Sequence, residues 1–227
     1  MEFISMFDVI GPNMIGPSSS HTAGAVSLGN LARKLFPYPI DKVTFTLYGS
    51  FAETYQGHGT DKALVGGILG FAPHDPRIRH SFDLAKEQGV SFQFHLDKQY
   101  KSAHPNTVDI LLGEGTKEEQ TVRGESLGGG KVRIVEINGI AVDLTGEYST
   151  LIVKQQDSPG VIAHITHCFQ EYQSNIAFLR VFREEKGGIA YTVIESDQMI
   201  PPEMLHKIKT LDTIETLTLI QEDQDGI

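Results

Sequence analysis

The C-terminal third of the chain alternates between strand-like and helix-like segments in an order that few folds satisfy. The strand-like segments are short runs of apolar and β-branched residues, whereas apolar residues between Val161 and Tyr172 recur at helical spacing. The order β-α-β-β-α-β is the ferredoxin-like split arrangement. The predicted strands are residues 149–155, 176–182, 189–195 and 214–220, and the predicted helices are residues 159–172 and 201–209.

The first of these helices has a start signal of its own. Asp157 and Ser158 carry side chains that cap helix N-termini, and Pro159 follows at a position where its missing N–H removes no hydrogen bond. We therefore expect the helix to begin at Pro159. The ferredoxin-like domain is placed at residues 147–227.

The N-terminal part of the chain mixes helical and strand patterns and is predicted to be an α+β domain over residues 1–146. Asn138-Gly139 between two apolar strands is a strong signal for a two-residue hairpin. The predicted helices are residues 23–36, 61–69 and 78–88, and the predicted strands are residues 43–47, 90–96, 107–112, 120–124 and 131–137.

A single cysteine and a net charge of −10 exclude several classes of function. Cys168 alone cannot form an internal disulfide or a four-cysteine metal site, and we expect it to be packed in a core. The clustered Lys and Arg residues that a nucleic-acid surface needs do not occur. No apolar run matches a membrane span, and the first ten residues do not resemble a signal peptide. We expect a cytoplasmic protein with no metal site of its own.

The densest group of chemically useful side chains is GPSSSHT, residues 16–22. Its hydroxyl groups and imidazole directly precede a predicted helix, whose N-terminus offers free N–H groups and a partial positive charge. A carboxylate or phosphate would be well accommodated there. A helix cap in a serine-rich turn is the simpler alternative, but a cap requires only one hydroxyl. The motif therefore predicts a binding site for a small anionic metabolite.

A second histidine, His58, lies in the sequence GHGTD at another strand–loop–helix junction. Histidine titrates near neutral pH and can transfer protons, although an exposed loop histidine is equally consistent with the pattern. Ligand sites gather at such junctions, so we expect the two loops to share one pocket.

The roles of two other segments are not decided by their residues alone. His104-Pro105-Asn106 is consistent with a structural turn, and residues 128–130 are consistent with a ligand-contacting loop or a flexible bend.

Four motifs occur in a fixed order: GPSSSHT, YGS at residues 48–50, GHGTD at residues 57–61 and SLGGG at residues 126–130. Together they closely resemble the N-terminal domain of bacterial iron–sulfur L-serine dehydratases. The second domain, with DSPG at residues 157–160 and SNI at residues 174–176, resembles an ACT domain, an amino-acid-sensing module of metabolic enzymes. The combination covers essentially the whole chain and is similar to the beta chain of the two-subunit form.

This resemblance implies the reaction of an L-serine ammonia-lyase, in which L-serine loses water and the product hydrolyses to pyruvate and ammonia. In the family, a 4Fe-4S cluster with one open iron assists departure of the hydroxyl, and a base removes the α-proton. The cysteines that hold the cluster belong to the alpha chain. The alpha chain is therefore the implied partner, and activity is expected only in its presence.

The resemblance also assigns roles to individual residues. His21 and His58 are the implied catalytic groups. The implied substrate-binding residues are Ser18, Ser20, Thr22, Thr60, Asp61, Gly128 and Gly129, and Thr60 and Asp61 are expected to orient His58. The implied allosteric residues are His104 and Asn106, at a separate site in the first domain, and Asp157, Gly160 and Asn175 in the ACT domain. ACT domains commonly pair side by side, so self-association through residues 149–221 is expected.

Two alternative functions remain open at this point. The chain is also consistent with a regulatory module that senses serine and supplies no catalytic group. The regulatory portion of a serine-pathway dehydrogenase is disfavoured, because no Gly-x-Gly-x-x-Gly nucleotide fingerprint follows a strand.

Overall fold

A computed structural model describes residues 13–99, 104–145, 148–183 and 185–221 of the chain. The chain divides into two compact units after Gly139, and each unit is described by itself below. The predicted domain boundary between residues 146 and 147 lies outside the described residues. None of the described helices is long and apolar enough to cross a membrane.

The elements of the first unit, in chain order, are a π-helical turn at Ser19–Ala23, α1 Gly24–Leu35, β1 Lys42–Tyr48, α2 Gly49–Thr54, α3 Thr60–Ile68, a 3-10 turn at Pro76–His80, α4 Ser81–Glu87, β2 Ser91–Asp97, β3 Thr107–Leu112, β4 Gln120–Gly128 and β5 Lys131–Ile137. Strand β1 pairs in parallel with β2 and antiparallel with β3, and the β3–β4 and β4–β5 pairs are antiparallel. The strands of this unit form a mixed sheet in the order β2-β1-β3-β4-β5.

Helices α1 and α3 cross at two glycines. A Cβ atom on Gly67 would lie 2.3 Å from the carbonyl oxygen of Val26, and one on Gly29 would lie 2.6 Å from the carbonyl oxygen of Leu64. The two backbones are therefore in direct contact, which any side chain at these positions would prevent. This crossing sets the position of the segments that precede both helices.

Most predicted elements of this unit are confirmed, including α1, α3 and all five predicted strands. The helix predicted at residues 78–88 is divided into the 3-10 turn and α4. Two elements were not predicted, the π-helical turn Ser19–Ala23 and the helix α2. Both are too short to show a periodic apolar pattern.

The second unit confirms the predicted β-α-β-β-α-β order. Its sheet has the strand order β10-β7-β9-β8 and is antiparallel throughout. Buried residues from both helices and the sheet, such as Val153, Ile165 and Ile194, form one core in which Cys168 is fully buried. This unit begins with β6 Ile140–Leu144, and the elements that follow are β7 Ser149–Gln156, α5 Val161–Glu171, β8 Ile176–Arg183, β9 Ile189–Ser196, α6 Pro202–Ile208 and β10 Ile214–Ile220.

The predicted start of α5 at Pro159 is wrong. The helix begins at Val161, and its N-cap is Gly160, which has a left-handed backbone with φ of 94°. The Asp157 carboxylate does not cap the helix, because it accepts hydrogen bonds from the Gly187 N–H at 3.1 Å and the Arg183 guanidinium at 2.8 Å. These contacts hold the pKa of Asp157 below its ordinary value.

Candidate functional site

The GPSSSHT segment folds as a tight turn closed by Ser18. The Ser18 hydroxyl accepts a hydrogen bond from the backbone N–H of His21 at 3.1 Å, and the Ser18 carbonyl accepts one from the N–H of Thr22 at 2.9 Å. Gly16 has φ of +122°, and a Cβ there would lie 2.5 Å from the Thr22 methyl. Only glycine fits this position. The π-helical turn that follows is a rare geometry that recurs at functional sites.

The His21 ring lies between two serine hydroxyls. Its Nε2 atom is 3.0 Å from the Ser50 hydroxyl, and its Nδ1 atom is 3.3 Å from the Ser18 hydroxyl. The ring also meets that of Phe51 in an edge-to-face arrangement, with the ring centroids 5.3 Å apart. Both ring nitrogens of His21 therefore have a hydrogen-bond partner within the protein.

His58 lies against His21, so the two predicted junctions converge. The two imidazole centroids are 4.8 Å apart in an edge-to-face arrangement. The Thr22 hydroxyl donates to the His58 carbonyl at 3.0 Å, and the His58 N–H donates to the Thr54 carbonyl at 3.0 Å. The Nδ1 atom of His58 is buried and has no hydrogen-bond partner among the described residues.

The electrostatics of the pair favour a neutral His21. Burial lowers the pKa of His21 below its ordinary value of 6.5, and the neighbouring charge on His58 lowers it further. Burial penalises the charged imidazole, and two adjacent imidazolium ions repel each other. His21 is therefore neutral at physiological pH.

This lowered pKa gives a testable dependence of stability on pH. Folded His21 resists protonation, so the unfolded chain binds that proton more readily and the free energy of unfolding falls as the pH drops below 6.5. The difference in this free energy between the parent chain and His21→Gln is expected to be larger at about pH 7.5 than at about pH 5.5. Urea denaturation at both pH values measures it, and an equal difference at both would contradict the lowered pKa.

Thr60 and Asp61 lie at the start of α3, beside His58. Thr60 is fully buried, and its hydroxyl has no partner in the described part of the chain. An Asp61 carboxylate oxygen accepts the N–H of Lys62 at 2.7 Å, and burial raises the pKa of this carboxyl. Within the described ranges, neither side chain hydrogen-bonds to the His58 ring. The predicted orienting contact is therefore not observed, and backbone contacts hold the His58 segment.

A cavity of about 320 Å³ opens beside His58 and Thr22. Asp61, Lys62 and Arg79 also line it. The Ser81 hydroxyl donates to the Lys62 carbonyl at 2.8 Å, which holds the 3-10 turn and α4 against α3. The two cationic side chains were not predicted as site residues, because their approach depends on this packing between elements.

The SLGGG segment reaches the π-helical turn from β4. The Gly129 N–H donates to the Ser19 hydroxyl at 3.3 Å, and the Ser126 hydroxyl donates to the Ser20 carbonyl at 2.8 Å. A Cβ on Gly128 would lie 3.5 Å from the Ser20 hydroxyl oxygen. The predicted residues Ser20, Gly128 and Gly129 are thus neighbours.

The His104-Pro105-Asn106 loop contacts the same cluster through its backbone. The Ser50 N–H donates to the Pro105 carbonyl at 2.8 Å, and the Ser126 N–H donates to the Asn106 carbonyl at 2.9 Å. The side-chain oxygen of Asn106 is buried and has no partner among the described residues. The loop predicted to form a separate site therefore adjoins both Ser50 and Ser126.

In the second unit, the three residues predicted to bind an allosteric amino acid do not form one group. Asp157 and Gly160 precede α5, whereas Asn175 follows it. An eleven-residue helix separates them, which corresponds to roughly 16 Å. The Asn175 amide donates to Asp197 at 2.7 Å.

Both parts of the chain are similar to known protein families. The family model for the serine dehydratase beta chain matches residues 5–136, and the ACT domain model matches residues 149–213. The chain is 40% identical to the L-serine dehydratase beta chain of Peptoniphilus asaccharolyticus, over 96% of this chain and 98% of that protein. It is 39% identical to a probable L-serine dehydratase beta chain of Bacillus subtilis, over 98% and 100%. It is also 26% identical to a D-3-phosphoglycerate dehydrogenase of Bacillus subtilis, over 86% of this chain but 37% of that protein.

Proposed function

The chain belongs to the serine dehydratase beta chain family, and on that premise we propose that it is the beta subunit of an L-serine dehydratase. The proposed reaction converts L-serine to pyruvate and ammonia when an alpha chain is present. One observation carries the proposal: His21 and His58 come from separate segments, and their rings meet edge to face, with centroids 4.8 Å apart, beside a hydroxyl-rich turn. Such a pair suits proton transfer next to a bound anion.

Of the two histidines, we assign proton transfer to His58. A general base needs a ring nitrogen that is free to accept a proton. Nδ1 of His58 has no hydrogen-bond partner among the described residues, whereas both ring nitrogens of His21 face serine hydroxyls. In this assignment His21 is a neutral neighbour that positions the His58 ring, and His58 accepts the α-proton of L-serine.

We assign the carboxylate of L-serine to the π-helical turn and the glycine loop that faces it. The Ser20 hydroxyl and the backbone of Gly128 and Gly129 lie together there, and Ser18 closes the turn. The Thr22 hydroxyl already donates to the His58 carbonyl, so we assign it to positioning His58. Thr60 offers an unpartnered hydroxyl and Asp61 a carboxyl group for the polar groups of the substrate.

An iron–sulfur cluster does not fit the residues of this chain. The sequence has one cysteine, Cys168, which is buried in the core of the second unit with a raised pKa. No group of three or more His, Cys, Asp or Glu side chains in the described ranges is arranged to hold a metal ion. We therefore propose that a 4Fe-4S cluster, if the family chemistry holds, is bound by the alpha chain, and no step here passes through it.

Regulatory serine binding forms a second part of the proposal. The side-chain oxygen of Asn106, which is buried and has no partner among the described residues, supports a site at His104 and Asn106. In the ACT domain, Asp157 and Asn175 already bond to Arg183 and Asp197. A role for them and for Gly160 in amino-acid binding therefore rests on the family resemblance alone.

A second candidate function is a serine-sensing module that supplies no catalytic group. The match to D-3-phosphoglycerate dehydrogenase favours it, because most of this chain corresponds to about a third of a differently named enzyme.

Anaerobic co-purification with the alpha chain, followed by a pyruvate assay on L-serine, tests the leading proposal. A complex with an intact cluster and no pyruvate formation would contradict it.

Self-association is expected to depend on β8, which lies at one edge of the second sheet. Its side chains Phe178 and Val181 are 37% and 40% exposed, and an apolar edge strand favours pairing with another copy. Val181→Lys is expected to weaken the dimer at least about tenfold. The control Met199→Lys charges an exposed apolar residue outside the strands. Light scattering over a range of protein concentrations measures the dimer affinity of both variants. A concentration-independent monomer of the parent chain would contradict self-association.

A further inference from the structure

Ser50 is the second residue of α2, directly after β1, and it is the last residue of the YGS motif, to which no role was assigned from the sequence. Its hydroxyl oxygen lies 3.0 Å from Nε2 of His21, although the two residues belong to different helical elements. The hydrogen bond joins the start of α2 to the π-helical turn.

The neighbouring serine favours one direction for this bond. The Ser18 oxygen accepts the His21 backbone N–H, so its own hydroxyl proton is available for the His21 Nδ1 atom at 3.3 Å. With Nδ1 accepting, neutral His21 carries its proton on Nε2 and donates it to the Ser50 oxygen. In this arrangement Ser50 is the acceptor of the Nε2 proton, which selects the tautomer and the plane of the ring.

The backbone of the same segment joins His21 to the His104-Pro105-Asn106 loop. The Ser50 N–H donates to the Pro105 carbonyl at 2.8 Å. Gly49 has φ of +51°, and a Cβ there would lie 2.6 Å from the same carbonyl oxygen. Glycine at position 49 allows this close approach, so Ser50 contacts the loop through its backbone and the imidazole through its side chain.

We propose that Ser50 is a positioning residue of this site, which holds His21 in one tautomer and connects its ring to the His104-Pro105-Asn106 loop. The consequence for turnover rests on the proposed function, whereas the consequence for the tautomer does not. Loss of the Ser50 hydroxyl frees the His21 ring, which then no longer presents a fixed face to His58 at 4.8 Å.

Long-range ¹H–¹⁵N correlation spectra of the full chain with ¹⁵N-labelled histidine test this role, because protonated and unprotonated ring nitrogens have well-separated shifts. His21 is one of nine histidines and is assigned by its loss in His21→Gln. The parent chain is expected to show the Nε2–H tautomer. Ser50→Ala is expected to give a tautomer mixture at His21, and Ser50→Thr, which keeps the hydroxyl, is expected to restore the parent signals.

Thr54→Ala is the matched control. Thr54 lies on the same helix, and its hydroxyl donates to the Ser50 carbonyl at 2.8 Å. It is expected to leave the His21 signals unchanged. Parent signals in Ser50→Ala, or an equal change in Thr54→Ala, would overturn the proposal.

A second readout uses the complex with the alpha chain. Ser50→Ala is expected to lower kcat by about tenfold to a hundredfold, because small displacements of reacting groups cost that much. Thr54→Ala is expected to stay within about twofold of the parent. If the parent complex makes no pyruvate but the tautomer changes as expected, the proposed function fails and the role of Ser50 stands. An unchanged kcat in an active Ser50→Ala complex would overturn the positioning role.

Discussion

His58→Ala is expected to lower kcat for L-serine by about 10²- to 10⁴-fold in the complex with the alpha chain. The variant removes Nδ1 of His58, a buried ring nitrogen that has no hydrogen-bond partner among the described residues. His58→Gln is expected to lose a similar factor, because an amide keeps polarity but does not accept the proton. Initial rates of pyruvate formation, at matched protein and iron content, give the measurement.

The control for this prediction is His80→Ala, which removes an exposed histidine of the same unit. It is expected to keep the parent rate. If His58→Ala kept the parent kcat and changed only the dependence of the rate on serine concentration, the chain would be a serine-sensing module. That result would contradict the assignment of proton transfer to His58.

Gly67→Val is expected to lower the free energy of unfolding of the first unit by about 3 kcal/mol, or to prevent folding. Its Cβ would lie 2.3 Å from the Val26 carbonyl oxygen and 2.8 Å from the Gly29 Cα atom. These obstructing atoms are backbone, so no side chain can rotate away, and α1 and α3 must separate. Denaturant titration followed by circular dichroism measures the loss.

Gly66→Ala is the matched control for the crossing. The nearest atom to its added Cβ would be a side-chain carbon of Ile78 at 3.3 Å, which can move. Alanine also favours a helix over glycine, so its free energy of unfolding is expected to stay within about 1 kcal/mol of the parent. A Gly67→Val chain as stable as Gly66→Ala would show that the close crossing of α1 and α3 does not support the fold.

The crossing of α1 and α3 also sets the distance between the two histidines of the site. Helix α1 continues from the turn that carries His21, and α3 begins two residues after His58. A wider separation of the two helices therefore moves the histidines apart. Any Gly67→Val protein that still folds is expected to lose activity with the alpha chain as well as stability.

The second unit could be predicted almost completely from the sequence. Each of its elements is long enough to show its own period, and turn residues such as Gly187 mark the ends. The error was local: Asp157 resembles a helix cap but bonds to Arg183 and Gly187 across the hairpin. Sequence spacing alone cannot reveal which of two available partners a carboxylate selects.

The candidate site was predicted less completely. The convergence of His21 and His58 followed from two similar strand–loop–helix junctions, and the structure brings the two rings together. The contacts that hold them were not predicted, because the Ser50–His21 bond joins residues far apart in the chain. Lys62 and Arg79 were missed for the same reason, since their common cavity forms only when the 3-10 turn packs on α3.

The central claim is that this chain supplies half of an active site that the alpha chain completes. Titration of cluster-loaded alpha chain with this chain, under anaerobic conditions and at saturating L-serine, tests it most directly. The rate of pyruvate formation is expected to rise from background to a plateau at about one equivalent, and a His21→Ala/His58→Ala chain is expected to compete without activating. An alpha chain that reaches the same rate alone, or a double variant that activates as well as the parent, would contradict the claim.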